Sequence, residues 1–302
     1  MLWHGILCCP FMLRIYCAVA IVLLFAQCNQ PQTKTTTVST EKHSTAQVYK
    51  AVNTAYYPLT GRDSIKNLSK YFPDAQQNIL YALNRIDAAN ITRLDTVIVP
   101  ADMSGSIIQY SPFPQSAPFL KDIDKIVFFS YPAQYFAAYE NGTLVYSGPT
   151  NMGRQKDPTP TGLFYTNWKA EETKSTFNDE WDLKWNFNIQ NKEGVGWHQY
   201  ALPGYPASHS CLRMLEADAK FMYTWADQWV IKGTDDIQAY GTPVIVFGSY
   251  HFGSAKPWLQ LLSQPHALDI SADALQMQTR SYLPDIMEKQ KQRISLAGKT
   301  AL

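Results

Sequence analysis

The chain has 302 residues, of which 46% are hydrophobic and 17% charged, and its formal net charge is +1 at pH 7. This length allows one medium or two small domains with a hydrophobic core, and the composition excludes a disordered chain. The near-zero charge gives no electrostatic reason to expect a nucleic-acid partner. The high aromatic content of 13% favours β-structure.

Residues 1–27 have the features of an export signal. An apolar run at 15–25 follows Arg14 and is shorter than the roughly 20 residues of a transmembrane helix. A start at Met12 would give a tidier signal. Cys28 ends the segment Phe25-Ala26-Gln27-Cys28 and resembles the lipid-bearing cysteine of bacterial lipoproteins. This resemblance implies an exported, periplasmic protein anchored to a membrane by a lipid. Ordinary signal cleavage and an uncleaved anchor are the alternatives.

Residues 28–50 are rich in Thr, Ser, Gln and Lys and have no apolar period, which predicts a flexible tether. The next stretch, 51–101, predicts a small α+β module. Its segments 64–72 and 79–86 space apolar residues as helices do, and 96–100 is a short β-branched run typical of a strand.

The order of these elements, with Gly61-Arg62-Asp63-Ser64-Ile65 before the first helix and Leu83-Asn84 in the second, resembles a LysM module, a β-α-α-β fold. The resemblance implies binding to glycan strands of peptidoglycan. In this chain Arg62 interrupts the usual Gly-Asp pair, and Leu94 stands where glycine is common. A structural spacer is therefore the alternative to a glycan-binding module.

Residues 102–122 contain several prolines and predict a linker, after which 123–250 is rich in β patterns. Strands are predicted at 126–129 and 244–247, and Asn141-Gly142 predicts a tight hairpin turn. A helix is predicted at 216–230. Residues 251–302 are interpreted as a C-terminal tail of mixed helical character.

Cys211 is the only cysteine after Cys28, so this part of the chain cannot form an internal disulfide. His209 lies two residues before it and His198 thirteen before it. An isolated thiol near histidines is the minimum set for a thiolate nucleophile, held as a thiolate–imidazolium pair. In an extended segment residues two apart share a side, so His209 could reach the sulfur and competes with His198 as the base.

The segment Ser208-His209-Ser210-Cys211-Leu212-Arg213-Met214 closely resembles the Ser/Thr-His-Gly-Cys signature of the L,D-transpeptidase catalytic domain. Earlier segments resemble the same family in the same order: Tyr139-Glu140-Asn141-Gly142-Thr143-Leu144-Val145, Gly153-Arg154, Pro158-Thr159-Pro160-Thr161-Gly162 and Gly196-Trp197-His198. The resemblance implies that 123–250 is a mainly β catalytic domain, a sandwich or barrel with a short helix after the cysteine motif. Two departures are Ser210 in place of glycine, strained if its φ is positive, and a short gap between His198 and Ser208.

The resemblance also implies the chemistry. Cys211 would attack the carbonyl before D-Ala in a peptidoglycan stem peptide, with His198 as the base, and an amine would resolve the thioester. His209, Ser208 and Ser210 would support the site, and the backbone N–H groups of Ser210 and Cys211 would hold the oxyanion. Arg213 would bind a substrate carboxylate or form a structural ion pair. No cofactor or metal is implied.

Three other readings of the sequence stay open. Water as the acceptor would give an L,D-carboxypeptidase, and an inert cysteine domain would leave a non-catalytic peptidoglycan-binding lipoprotein. A zinc site built from His198, His209, Cys211 and His251 is the third, although their spacing matches no common zinc pattern.

Overall fold

The computed structural model describes residues 49–175 and 182–300, all of which fall in the second of two units, Glu41–Leu302. The predicted export signal, Cys28 and nearly all of the predicted tether lie outside the described residues. In the described ranges, no helix combines the length and apolar character needed to cross a bilayer.

Strands dominate the described residues. The strands are β1 (Tyr56–Thr60), β2 (Thr96–Pro100), β3 (Lys125–Ser130), β4 (Tyr135–Glu140), β5 (Thr143–Asn151), β6 (Gly162–Tyr165), β7 (Lys169–Lys174), β8 (Asp182–Gln190), β9 (Val195–Gln199), β10 (Leu212–Met214), β11 (Val230–Lys232), β12 (Asp236–Ala239) and β13 (Pro243–Phe247). The α-helices are α1 (Arg62–Lys66), α2 (Asp74–Leu83), α3 (Glu216–Trp225), α4 (Ala272–Thr279) and α5 (Leu283–Thr300). The mainly β fold expected from the sequence is confirmed.

Nine of these strands form one curled sheet in the order β6-β13-β3-β4-β5-β10-β9-β8-β7. Its central strands are buried on both faces, because successive side chains of a strand point to opposite sides. Phe129 packs with Trp197 and Met222 on one face, while Phe128 packs with Ile245 and other residues on the opposite face. This double burial explains why β3 and β13 read as unbroken apolar runs.

The turn between β4 and β5 is the predicted tight hairpin. Asn141 and Gly142 both have positive φ, 46° and 77°, the combination that a type I′ turn requires. A side chain at position 142 would also lie 2.6 Å from the carbonyl oxygen of Ala117. The predicted helix at 216–230 is shorter than expected and ends at Trp225, since Ala226 is extended and Asp227 N–H bonds to Thr242 Oγ1.

The N-terminal segment folds as β1-α1-α2-β2, with β1 and β2 antiparallel, around an apolar cluster that includes Ile65, Leu80 and Val97. We call residues 51–101 the N-terminal module. It packs on the C-terminal segment, where Leu83 and Trp258 share a second apolar cluster. Glycan binding by the module stays a prediction.

Candidate active site

Cys211 immediately precedes β10, the short strand that joins the two halves of the sheet. β10 runs antiparallel to β5 and parallel to β9, which places Arg213 beside His198 and Leu212 beside Trp197. The parallel pairing therefore brings the histidine strand and the cysteine motif together, although 13 residues separate His198 from Cys211 in the sequence.

A cavity of about 380 Å³ opens at this junction. All six site residues expected from the sequence line it, namely Cys211, His198, Ser208, His209, Ser210 and Arg213. Cys211 therefore lines a cleft that it shares with both candidate bases.

His198 is buried, with 4% of its surface exposed, and its Nδ1 lies 3.0 Å from the carbonyl oxygen of Gln199. A carbonyl only accepts hydrogen bonds, so Nδ1 carries the proton and Nε2 is left as the basic nitrogen. Burial lowers the pKa of His198 to about 4. The Arg213 charge also lowers this pKa, and the hydrogen bond to Gln199 raises it. The ring is therefore neutral at pH 7 and able to accept a proton.

Cys211 is half-buried, and its Sγ lies 3.8 Å from the carbonyl oxygen of Gly194, to which the thiol donates. Burial raises the pKa of the Cys211 thiol, while the Gly196 N–H and the Arg213 charge act in the opposite direction. Burial thus disfavours the charged form of both groups, whereas the sequence predicts a thiolate–imidazolium pair. Proton transfer must then accompany the attack on a substrate.

Ser210 has φ of +77°, the left-handed conformation in which the sequence argument expects a serine to be strained. The strained peptide is braced from the Pro-Thr-Pro-Thr element: Thr159 Oγ1 donates to the Ser210 carbonyl at 2.9 Å and accepts the Gly153 N–H at 2.8 Å. Gly153 must be glycine, since a Cβ there would lie 2.3 Å from the Asp157 carbonyl oxygen. Through Thr159, the Pro-Thr-Pro-Thr element thus fixes the cavity wall at Ser210.

His209 points toward a different partner from His198. Its Nε2 lies 3.9 Å from Asp157 Oδ2, and the same carboxylate oxygen accepts Arg154 Nε at 2.5 Å. The hydrogen bond from Arg154 lowers the pKa of Asp157, which stays ionised. Burial and the Arg154 charge lower the pKa of His209, although Asp157 raises it. His209 therefore lies next to the Arg154–Asp157 ion pair at the cavity wall.

Tyr200 lines the cavity and was not among the expected site residues. The Arg213 guanidinium lies 4.4 Å from the centre of its ring, and the His198 ring meets it edge-on at 5.9 Å. Tyr200 follows His198 by two positions, so period-two alternation could have placed both on one side of the strand. Within the described residues no carboxylate forms an ion pair with Arg213, which lines the cavity.

Ser208 is buried and extends the pairing beyond β5: its N–H donates to Met152 O at 3.1 Å, and its carbonyl accepts Arg154 N–H at 2.8 Å. Its main chain thus fixes the start of the cysteine motif. Asp157, also unforeseen as a site residue, lies directly before the Pro-Thr-Pro-Thr element, which was the available signal. Where the chain is described, no three His, Cys, Asp or Glu side chains are grouped to hold a metal ion, so the alternative zinc set is not assembled.

Comparison with protein families identifies the same region. Residues 124–246 match the model of the YkuD family, the L,D-transpeptidase catalytic domain. This match confirms the resemblance that the sequence motifs carry and supports a transpeptidase-like function for this domain. It does not extend to the N-terminal module. No curated protein matches the chain.

Solved structures of L,D-transpeptidases are similar to part of the chain. The enzyme from Stackebrandtia nassauensis is 21% identical with a TM-score of 0.34, and that from Mycobacterium smegmatis is 19% identical, also with 0.34. An L,D-transpeptidase from Mycobacterium tuberculosis H37Rv is 21% identical with a TM-score of 0.32. Each match covers 42% of this chain and 57%, 59% and 58%, respectively, of the other chain.

Proposed function

We propose that the chain is an L,D-transpeptidase that acts on peptidoglycan stem peptides through a Cys211 thioester. The observation that carries the proposal is the shared cavity, which is lined by the half-buried Cys211 and by a histidine whose Nε2 is the basic nitrogen. The family match at 124–246 supports the reaction class. In this proposal the protein is exported to the compartment that holds peptidoglycan, and Cys28 carries a lipid anchor.

The first half-reaction forms the acyl-enzyme. As Sγ of Cys211 attacks the carbonyl carbon that precedes D-Ala, its proton moves to Nε2 of His198. The backbone N–H groups of Ser210 and Cys211 stabilise the oxyanion. Collapse of this intermediate breaks the C–N bond, and the imidazolium returns the proton to the departing D-Ala amine. The products are a thioester and free D-Ala.

The second half-reaction transfers the acyl group. An amine of a second stem peptide attacks the thioester carbonyl while neutral His198 takes one of its protons. The C–S bond breaks, the proton returns to sulfur, and a new amide links the two stems. Arg213 has no carboxylate partner among the described residues and lies in the cavity wall, so it is the group that would bind a substrate carboxylate.

The test is incubation of the purified protein with disaccharide-tetrapeptide fragments, followed by mass spectrometry of the products. We expect cross-linked dimers and released D-Ala from the wild type and neither from Cys211→Ala. Released D-Ala without dimers would identify water as the acceptor and a carboxypeptidase. If no D-Ala is released and a carbapenem adds no mass at Cys211, the protein is a non-catalytic wall-binding lipoprotein and the proposal fails.

A further inference from the structure

The connection between His198 and the cysteine motif is held at two places by the main sheet and at a third by the N-terminal module. Near its start, Tyr200 N–H donates to Met214 O at 3.1 Å. Near its end, the Asn151 side chain forms two hydrogen bonds with it. Asn151 Nδ2 donates to the Tyr205 carbonyl, and Asn151 Oδ1 accepts the Ala207 N–H at 3.1 Å. Between these points the chain leaves the sheet, so its position there depends on another contact.

That contact comes from Asp87, in the loop between α2 and β2. Leu202 N–H donates to Asp87 Oδ2 at 2.7 Å, and Asp87 N–H donates to the Leu202 carbonyl at 3.0 Å. Beside them Ile86 and Pro203 form an isolated antiparallel bridge. Leu202 and Ile86 are both fully buried, so this pair of hydrogen bonds is next to apolar side chains that exclude water.

Asp87 is itself well fixed. Its Oδ1 accepts the Asn90 backbone N–H at 2.8 Å, and both carboxylate oxygens accept the Asn90 side chain at 2.9 Å. Two residues before it, Arg85 Nε donates to the Ala133 carbonyl at 2.9 Å, which ties this end of the module to the loop between β3 and β4. The carboxylate is therefore a fixed point from which a loop can be held.

We propose that Asp87 is a positioning residue for the active site: by holding Leu202 it fixes Tyr200, and through that ring the orientations of Arg213 and His198. Leu202 is two residues from Tyr200, whose ring contacts both Arg213 and His198. The inference rests on the proposed function, and it gives the N-terminal module a part in catalysis that does not require glycan binding. A displacement of about 1 Å at such a site can lower a rate by as much as ~100-fold.

The experiment measures alkylation of Cys211 by iodoacetamide as a function of pH, which needs no peptidoglycan turnover. Asp87→Ala is compared with Asp74→Ala, which removes an exposed carboxylate of the same module that bonds to Gln77 and leaves the contacts of Asp87 in place. We expect Asp87→Ala to slow alkylation at pH 7 about tenfold and to raise its pH midpoint, because Arg213, whose charge lowers the pKa of the thiol, is displaced from the sulfur. Asp74→Ala should leave both the rate and the pH midpoint unchanged. If Asp87→Ala does not fold, the isosteric Asp87→Asn is measured in the same assay. We expect it to change the rate and the pH midpoint in the same direction by a smaller amount.

The route through Tyr200 is tested with Tyr200→Ala and the double variant. If Asp87 acts through that ring, the two substitutions together slow alkylation no more than Tyr200→Ala alone. If the effects of the two substitutions on the alkylation rate multiply, Asp87 does not act through Tyr200. If a folded Asp87 variant has an unchanged alkylation profile, the proposal is wrong. A wild type that alkylates as described but makes no cross-links would instead refute the proposed function and leave the positioning role standing.

Discussion

Two histidines line the cavity of Cys211, and their contacts separate their roles. The proton of His198 is fixed on Nδ1 by the Gln199 carbonyl, so its Nε2 is basic, whereas Nε2 of His209 faces Asp157. A base that takes the thiol proton contributes about 10²- to 10⁴-fold to the rate, and a wall residue contributes less.

We therefore expect His198→Ala to slow acylation of Cys211 by a carbapenem at least ~100-fold and His209→Ala to slow it less. The measurement is the rate of adduct formation by intact-protein mass spectrometry. His266→Ala, which replaces an exposed histidine paired with Asp269, is the matched control and should leave the rate unchanged. Equal or reversed effects of the first two substitutions would assign the base to His209.

Ser210 combines a strained backbone with a weak side-chain contact. Its φ is +77°, and its Oγ lies 3.4 Å from the Asp157 carbonyl oxygen. Ser210→Gly relieves the strain and should raise the free energy of unfolding by up to about 1 kcal/mol, part of the gain being offset by the entropy of glycine in the unfolded chain. Ser210→Ala removes the same hydroxyl but keeps the strain, so it should not stabilise. Urea denaturation of both variants measures the difference, and an equal gain in both would place the strain elsewhere.

The site residues that the sequence predicts are those with a local signal. Cys211, His209 and Arg213 stand two residues apart in one motif, and His198 occupies its motif position. Tyr200 and Asp157 carry weaker signals, and their roles come from contacts made in space. The thiolate–imidazolium pair stays a prediction: burial, which disfavours the charged forms of both groups, is a property of the folded cavity that a motif does not contain.

At the scale of elements, α3 buries a carboxyl group against the sheet. Asp218 accepts a hydrogen bond from Tyr146 OH at 2.9 Å, while its Oδ2 is buried without a hydrogen-bond partner and lies close to Gly148. Burial raises the pKa of Asp218 to about 7, against the effect of the Tyr146 hydrogen bond. The folded protein thus holds this proton more tightly than the unfolded chain, in which an aspartate has a pKa of about 3.9.

This difference makes stability depend on pH. The contribution of protonated Asp218 is complete below about pH 4 and is lost as pH rises to about 7, a fall of about 4 kcal/mol at most. Asp218→Asn cannot ionise, so its free energy of unfolding should not show this fall. The measurement is urea denaturation of both proteins at pH 4, 5.5 and 7.5. Parallel pH profiles for the two proteins would mean that Asp218 ionises normally in the folded state.

Strands and turns with strong local patterns were predictable, and the packing between elements was not. The apolar runs of β3 and β13 and the Asn-Gly turn follow from residues next to one another in sequence. The residues interpreted as a C-terminal tail of mixed helical character form α4 and α5, whose Leu275 and Ile286 are buried in an apolar cluster with residues of the sheet. Their polar composition gives little indication of that burial.

At the scale of the whole molecule, Arg85 joins the N-terminal module to the catalytic sheet. It is 2% exposed, donates to the carbonyls of Ala133 and Leu83, and lies 4.8 Å from the centre of the Tyr135 ring. Burial lowers its pKa to about 10, so the guanidinium stays charged at neutral pH. Because these donors satisfy carbonyls on both sides of the junction, the module and the sheet should unfold together.

Arg85→Ala should therefore lower the free energy of unfolding by about 3 kcal/mol or more, since it leaves buried carbonyls without donors and opens a cavity at the junction. Arg85→Lys keeps the charge but has no planar fork of donors, so an intermediate loss is expected. Urea denaturation followed by far-UV circular dichroism and by carbapenem acylation of Cys211 should give coincident transitions in the wild type and in both variants. A variant whose module unfolds first, while Cys211 still acylates at the wild-type rate, would show that the module is dispensable for the site and would also argue against positioning through Asp87.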